Sequence, residues 1–92
     1  MEKIIELKSF EMISLLGVGD EHIKLIESNI PVSISARGEK LTIKGKSSSI
    51  KKADSILKEM RETLSSKGSL FADDVNSLIK LSKTDSVNLN GV

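Results

Sequence analysis

The 92-residue chain has no cysteine, tryptophan or tyrosine, and it has only two phenylalanines and one histidine. Without cysteine there is no disulfide framework, no thiolate nucleophile and no cysteine-ligated metal centre. The two aromatic residues, Phe10 and Phe71, are too few for base-stacking platforms, which need several exposed rings. No apolar run approaches the ~20 residues that span a bilayer. We therefore expect a cytoplasmic protein that has no membrane partner.

The chain also lacks an excess of charge of either sign. It has 14 basic and 13 acidic residues, which leaves a net charge of +1. Proteins that bind duplex nucleic acid mainly by neutralising phosphates usually carry a basic excess. A chain of this length is typical of one domain with one small core.

The spacing of apolar residues predicts a mixed fold. Spacings of three and four residues predict helices over 9–16, 21–29, about 47–65 and 71–81. Strict alternation predicts a hairpin of strands 32–36 and 40–44 around a turn at 37–39, and residues 2–8 are interpreted as an edge strand. The order β-α-α-β-β-α, followed by one more helix, predicts an α+β fold with helices on one face of a three-stranded antiparallel sheet.

Within these helices the pattern also predicts caps and inner faces. We expect Ser9, Asp20 and one of the serines at 47–49 to cap the helices that they precede. In the first helix, Phe10, Ile13 and Leu16, with Met12 and Leu15, supply the apolar residues at three- and four-residue spacing. His22 is expected to face solvent or the helix flank. The tail, residues 82–92, is too polar to order by itself.

No set of residues in the sequence forms a complete catalytic or metal site. Gly45-Lys46-Ser47 matches the end of a P-loop, but the first glycine of that motif would stand at position 40, which is a lysine. His22, Glu21 and Ser14 do not form a triad, since adjacent helix residues face apart. The pair Asp73-Asp74 is explained by the dipole of the helix that it begins. We therefore expect a non-enzymatic chain without cofactor or metal.

The segment from Leu16 to Gly45 resembles a K-homology (KH) module of type I order. The matching stretches are Leu16-Gly17, residues 23–26 and residues 41–45, and the last of these precedes a helix. Members of this family clamp a nucleic-acid backbone with a helix–GxxG–helix element. The resemblance implies a nucleic-acid-binding surface formed by Gly17, Val18, Gly19, Asp20 and Lys24 at the loop, with Arg37 and Lys40 at the hairpin tip.

Asp20 replaces the closing glycine of the GxxG loop. A capping carboxylate would occupy backbone amides that otherwise bind phosphate, and its charge would repel the phosphate. At a surface dielectric, two unit charges about 4 Å apart repel by up to about 4 kcal/mol before salt screening. The loop is therefore expected to bind nucleic acid weakly.

Residues 3–81 are also similar, in an ordered series of short motifs, to the N-terminal region of PhoH-like proteins, the phosphate-starvation-inducible ATPases of bacteria. The motifs are Gly17 with Asp20, Ala36-Arg37-Gly38, and Thr42-Ile43-Lys44-Gly45. Phe71-Ala72 departs from the threonine-proline helix start of that family. The resemblance implies a KH-like domain over 1–66, an extra helix over 67–81 and a linker over 82–92. An ATPase domain, which would bind ATP and magnesium, is expected to follow and is absent from this chain.

Two functions remain open from the sequence. One is an accessory domain that contacts single-stranded RNA weakly through the loop and assists the ATPase. The other is a protein–protein module that regulates or assembles the ATPase, as a homo-oligomer or through the ATPase domain, without binding nucleic acid. The near-neutral charge and Asp20 favour the second function, whereas the resemblance favours the first.

Overall fold

The computed structural model orders the chain into alternating strands and helices. They are β1 (Glu2–Glu6), α1 (Ser9–Leu16), α2 (Glu21–Asn29), β2 (Val32–Arg37), β3 (Lys40–Gly45), α3 (Ser47–Lys67) and α4 (Ala72–Gly91). A short 3-10 turn over Val18–Asp20 joins α1 to α2. The structure describes the backbone of residues 1–91 and the side chains of residues 1–82. The predicted α+β class, with a three-stranded antiparallel sheet, is confirmed.

Strand β3 occupies the centre of the sheet, with β1 and β2 as its antiparallel neighbours. Alternation along β3 places Leu41 and Ile43 on the helix side, where both are fully buried, while Lys40 and Lys44 are exposed. Successive side chains of a strand point to opposite faces, so one face of the sheet carries the core and the other stays polar. The hairpin is as predicted, except that its turn is the two residues Gly38-Glu39.

The core is one aliphatic cluster. The sheet and all four helices contribute side chains to it. Its most buried members are Leu15, Ile26, Leu41, Ile43, Ile56, Leu57, Met60 and Val75. Burying a large aliphatic side chain stabilises a fold by about 1.5–3 kcal/mol. The sheet and the helices are therefore held together by a single cluster and not by separate local ones.

Helix α1 differs from the prediction in its cap, and it buries only some of its apolar residues. Met12 and Leu15 are buried, whereas Phe10 and Ile13 are 66% and 72% exposed. Five of the eight residues are apolar, which is more than one face of a two-turn helix can bury. Lys8, and not Ser9, occupies the N-cap position, and its N–H donates to a carboxylate oxygen of Glu11 at 3.4 Å.

Helices α3 and α4 both extend past their predicted ends. Helix α3 has Lys46 at its N-cap with no side-chain cap, so the expected serine cap is wrong, and the helix stops at Gly68, whose N–H bonds to the Leu64 carbonyl at 2.8 Å. Helix α4 continues to Gly91 because no glycine or proline interrupts residues 72–90. The linker role predicted for residues 82–92 stays a prediction. No helix in the described part of the chain is long and apolar enough to cross a membrane.

Helix α4 packs against α2 and α3, and two of its side chains belong to the common core. Val75 is fully buried and Ile79 nearly so. At its start, Asp74 accepts the Phe71 N–H at 3.0 Å and pairs with Lys67 at 2.8 Å. These contacts hold the beginning of α4 on the same body as the sheet.

Asp54 on α3 is a buried acid, although an acidic side chain of an amphipathic helix normally lies on the solvated side. One of its carboxylate oxygens lies 3.0 Å from Nζ of Lys3 on β1 and 3.3 Å from Nζ of Lys58. Burial by itself raises the pKa of Asp54, but the hydrogen bonds and charges of the two lysines outweigh it, so the pKa lies below its ordinary value of 3.8. This acid therefore ties the edge strand to α3.

Replacing this acid tests its contribution to stability. Because the pKa of Asp54 is lowered in the folded state, its stabilisation is complete at neutral pH and is lost as pH falls below about 4. We expect Asp54→Asn to lower the free energy of unfolding by about 1 kcal/mol at pH 7, and the deficit to shrink as pH falls from 5 to 2. Urea denaturation across this range measures it. Glu59→Gln, at an exposed acid in the interior of α3, is the control and should change little. A deficit independent of pH would contradict the account.

Candidate nucleic-acid interface

The connection between α1 and α2 adopts a backbone that suits glycine at three of its four positions. Gly17, Gly19 and Asp20 have φ angles of 77°, 60° and 60°. Asp20 is the one non-glycine residue with positive φ among residues 1–91. Its N–H bonds to the Gly17 carbonyl at 3.2 Å, and the Glu21 N–H bonds to the Val18 carbonyl. Two of the amides in the turn are therefore used within the turn itself.

Asp20 stands at the N-cap position of α2, but its side chain makes no capping hydrogen bond. The prediction that its carboxylate occupies the helix amides is therefore wrong. Capping residues normally have extended backbone angles, from which the side chain can reach the amides two or three residues on, and Asp20 is left-handed instead. The carboxylate is exposed, and Glu21 beside it is exposed as well. The negative charge of these carboxylates would therefore still repel an anion.

His22 is buried beneath the loop, and the expectation that it faces solvent is wrong. The residue is 2% exposed, and its Nδ1 lies 3.1 Å from the Ser14 carbonyl oxygen. A β-carbon added to Gly17 would lie 2.8 Å from the imidazole ring. Gly17 combines φ 77° with ψ 174°, a region that is essentially restricted to glycine. Both the backbone conformation at position 17 and the close packing of the His22 ring therefore require glycine there.

The remaining candidate residues lie in two places that no hydrogen bond connects. Lys24 is exposed on α2, while Arg37 and Lys40 are exposed and directly paired across the hairpin. The chain reverses at Ile30-Pro31, and the Ile34 N–H donates to a Glu27 carboxylate oxygen at 2.8 Å, so β2 runs back along α2. The hairpin tip and the N-terminus of α2 therefore point toward the same end of the molecule. Among residues 1–82, none of these three cations forms an ion pair.

Exposed apolar side chains lie on α1 and in the loop that follows it. Phe10 and Ile13 lie one turn apart on the outer side of α1, and Val18 in the loop is 87% exposed. We call these three residues the apolar α1 surface. The sequence carried a signal for it, since α1 has more apolar residues than one face can bury.

The triplet Gly45-Lys46-Ser47 forms the ordinary end of β3 and start of α3. A β-carbon at Gly45 would lie 3.0 Å from the Pro31 carbonyl oxygen, so close packing explains this glycine. Within the side chains that the structure describes, no three acidic or histidine residues come together to hold a metal ion.

Comparison with known proteins yields no relative. No family model, no curated protein and no solved structure matches the chain. The resemblances noted from the sequence stay predictions.

The packing of His22 against Gly17 can be tested by a pair of glycine substitutions. Gly38 also has positive φ, at 58°, but a β-carbon there would meet nothing within 4 Å. We expect Gly38→Ala to cost about 1 kcal/mol from backbone strain alone. Gly17→Ala should cost about 2–4 kcal/mol, because it adds a clash with the ring to a more severe backbone strain. Thermal or urea unfolding measures both.

A double-mutant cycle separates the clash from the strain. In the His22→Ala background Gly17→Ala should cost less than in the unmodified chain, because only the backbone strain at Gly17 remains. Equal costs for the two glycine variants in the unmodified chain would show that the ring does not constrain the loop.

Proposed function

We propose that this chain is a non-catalytic, KH-like accessory domain of a PhoH-like ATPase that contacts single-stranded RNA weakly through the loop at residues 17–20. The observation that carries the proposal is the left-handed backbone of Asp20, which gives the closing position of the loop a conformation suited to glycine. The order of the elements, with a glycine-bearing turn between two helices, supports it.

The chemistry of the loop fits a contact with a phosphodiester backbone. An exposed turn without bulky side chains at Gly17 and Gly19 lets a backbone approach the N-terminus of α2, where amides carry partial positive charge. Lys24 lies one turn into the same helix, and Arg37 and Lys40 lie toward the same end of the molecule. The apolar α1 surface offers a place for a base.

The same loop also limits the affinity. The exposed carboxylates of Asp20 and Glu21 flank the position that a phosphate would take. With a net charge of +1, the whole chain adds little long-range attraction. We expect a dissociation constant of about 10⁻⁴ M or weaker at physiological salt.

Replacing the closing aspartate tests the electrostatic account. Asp20→Asn removes the charge and keeps a side chain that tolerates positive φ, whereas Asp20→Gly removes the charge and the backbone strain together. We expect both variants to bind a short single-stranded RNA about three- to tenfold more tightly at low salt. Amide NMR titration at two salt concentrations measures this, with saturable shifts at residues 17–24 and 37–40 that weaken at the higher salt.

Glu59→Gln is the matched control, because it removes an exposed negative charge from α3 and leaves the loop unchanged. It should leave the RNA affinity unchanged. An unmodified chain whose spectrum does not change at millimolar RNA would refute the RNA contact. If Glu59→Gln raised the RNA affinity by the same factor, the gain would come from the net charge of the chain and not from the loop.

The apolar α1 surface favours a second candidate function, a protein-binding module that assembles or regulates the ATPase. Exposed apolar surface beyond a few hundred Å² is uncommon on monomers and often marks interfaces. In this reading the partner is either a second copy of the chain or the ATPase domain.

Removing one apolar side chain separates these outcomes. We expect Ile13→Ser to leave the unfolding midpoint nearly unchanged, because the side chain is already exposed, and to weaken any self-association seen by size-exclusion chromatography with light scattering. Phe71→Ser is the control, since Phe71 is similarly exposed but lies at the start of α4. A chain that is monomeric at all concentrations excludes self-association and leaves the ATPase domain as the partner to test by titration.

A further inference from the structure

A polar cavity of about 260 Å³ opens between the end of α2, the start of α3 and helix α4. It is lined by Asn29, Ile30, Pro31, Ser48, Ser49, Lys52 and Ser82. The cavity is open to solvent, because four of these residues are exposed, namely Asn29, Pro31, Ser48 and Lys52. At the ~30 Å³ that one water occupies in the liquid, the space holds about nine non-hydrogen atoms. None of the lining residues is acidic.

Helix α3 begins at this cavity without a cap. Lys46 at the N-cap position makes no side-chain capping bond, and the first turn contains no acid. The Ile50 N–H bonds to the Lys46 carbonyl at 2.9 Å, so the amides of residues 47–49 precede the first bond of the helix. Such amides carry partial positive charge, and an anion beside them is stabilised by the helix dipole. The start of α3 is therefore ready to accept a negative group.

Two hydroxyl groups of the lining have no hydrogen-bond partner among the described residues. Ser49 is only 8% exposed, and its hydroxyl bonds to no group of residues 1–82. The Oγ of Ser82 is buried and is also unpartnered. Buried polar side chains are nearly always hydrogen-bonded, and an exception needs an explanation. A ligand that accepts hydrogen bonds in the cavity would supply the partner that Ser49 lacks.

The charges around the cavity are mostly positive. Lys52 is the charged residue in the lining, and the open surface on the other side of Pro31 carries Lys44 and Lys46 against one acid, Glu2. Neither Lys46 nor Lys52 forms an ion pair with the side chains of residues 1–82.

Two acids on the neighbouring turns of α2 and α3 already have partners. Glu27 accepts the Ile34 N–H at 2.8 Å, and Asp54 is paired with Lys3 and Lys58. The lysines at positions 44, 46, 51 and 52 therefore outnumber the acids at positions 2 and 27 near the start of α3. This balance favours an anion over a cation.

We propose that this cavity binds a phosphate group, either as the free ion or as the head of a small monoester. Its oxygens would accept hydrogen bonds from the first amides of α3, from the hydroxyls of Ser48 and Ser49, and from the ammonium group of Lys52. Lys52 lies four residues after Ser48 and three after Ser49, so all three share one face of the helix. Free amides at a helix N-terminus, together with hydroxyl and ammonium donors, are the groups that bind phosphate in proteins.

The cavity and the loop of the proposed RNA contact lie at opposite ends of α2. The loop precedes Glu21, and the cavity begins at Asn29, so the nine residues of α2 separate them by about 13 Å. No residue of the loop or of the hairpin tip lines the cavity. Phosphate binding here and RNA binding at the loop can therefore be present or absent independently.

Amide NMR titration of the chain with inorganic phosphate at pH 7, with sodium chloride adjusted to hold the ionic strength constant, tests the proposal. We expect saturable shifts at residues 47–52 with a dissociation constant of about 1–10 mM, as suits so small a ligand. Sodium chloride alone should give no saturable shift. No saturable shift at these residues at about 50 mM phosphate would overturn the proposal.

A parallel titration with 2-hydroxyethyl phosphate separates the two sources of the phosphate group. Binding at least as tight as that of inorganic phosphate would assign the site to a small monoester, since the cavity has room beyond the phosphate itself. Weaker binding would assign it to the free ion.

A matched pair of lysine substitutions locates the site. Lys52→Gln should weaken phosphate binding about fivefold or more, because it removes a charged donor from the lining. Lys51→Gln is the control, since it removes the same charge one residue away from an exposed lysine that does not line the cavity. The control should change the affinity less than about twofold. Equal losses for the two variants would overturn the proposal, because the effect would then come from net charge.

Two serine substitutions separate loss of the site from loss of the fold. Ser48→Asp should abolish saturation by repelling the phosphate and should raise the unfolding midpoint, because an acid in the first turn favours the helix dipole. Ser49→Ala should weaken phosphate about threefold without lowering the midpoint, since its hydroxyl has no partner to lose. Phosphate affinity that is unchanged in both variants would overturn the proposal.

Discussion

The central strand β3 is the constraint on which the rest of the structure depends. It is hydrogen-bonded on both edges, and its inward side chains, Leu41 and Ile43, are fully buried. A slip of one residue in its register would turn both into solvent and bring Lys40, Thr42 and Lys44 into the core. The packing of the helices on one face follows from that alternation. So does the position of the hairpin tip, where the candidate cations Arg37 and Lys40 face each other.

The loop between α1 and α2 packs on the same core, which holds it in place. Met12 and Leu15 hold α1, Ile23 and Ile26 hold α2, and His22 fills the space under Gly17. A buried imidazole bonded to the Ser14 carbonyl leaves the turn little freedom. The glycine at position 17 therefore has a structural cause, and by itself it does not argue for a phosphate. The closing position is different, because Asp20 is exposed and its side chain makes no capping hydrogen bond. The proposed clamp-like loop therefore rests on the left-handed backbone of Asp20.

Strong periodicity made the fold class and most of the element bounds predictable from the sequence. The hairpin is an example, because Val32, Ile34, Leu41 and Ile43 alternate without exception. The sequence did not predict which side chains face the core where a helix has more apolar residues than one face can bury, as in α1. It also did not predict the burial of a polar residue whose partner lies far along the chain. Asp54 is buried because Lys3, 51 residues away, meets it. His22 is buried because two helices close over it. Neither contact has a local signal, so the burial of Asp54 and of His22 was not predicted.

The charges of the candidate residues determine how tightly the loop could bind a phosphate backbone. Lys3, Lys58, Arg61 and Lys67 form ion pairs with carboxylates, whereas Lys24, Arg37 and Lys40 form none with the side chains of residues 1–82. If one to three phosphates are neutralised, affinity for a single strand falls only about three- to twentyfold between 50 and 200 mM salt. Such a contact is weak alone. Tethered to a second binding domain at an effective concentration near 1 mM, a 10⁻⁴ M site would be occupied about nine-tenths of the time. The near-neutral charge is therefore compatible with the proposed accessory role, in which a tethered domain would raise the local concentration of RNA and so offset the low affinity of the loop.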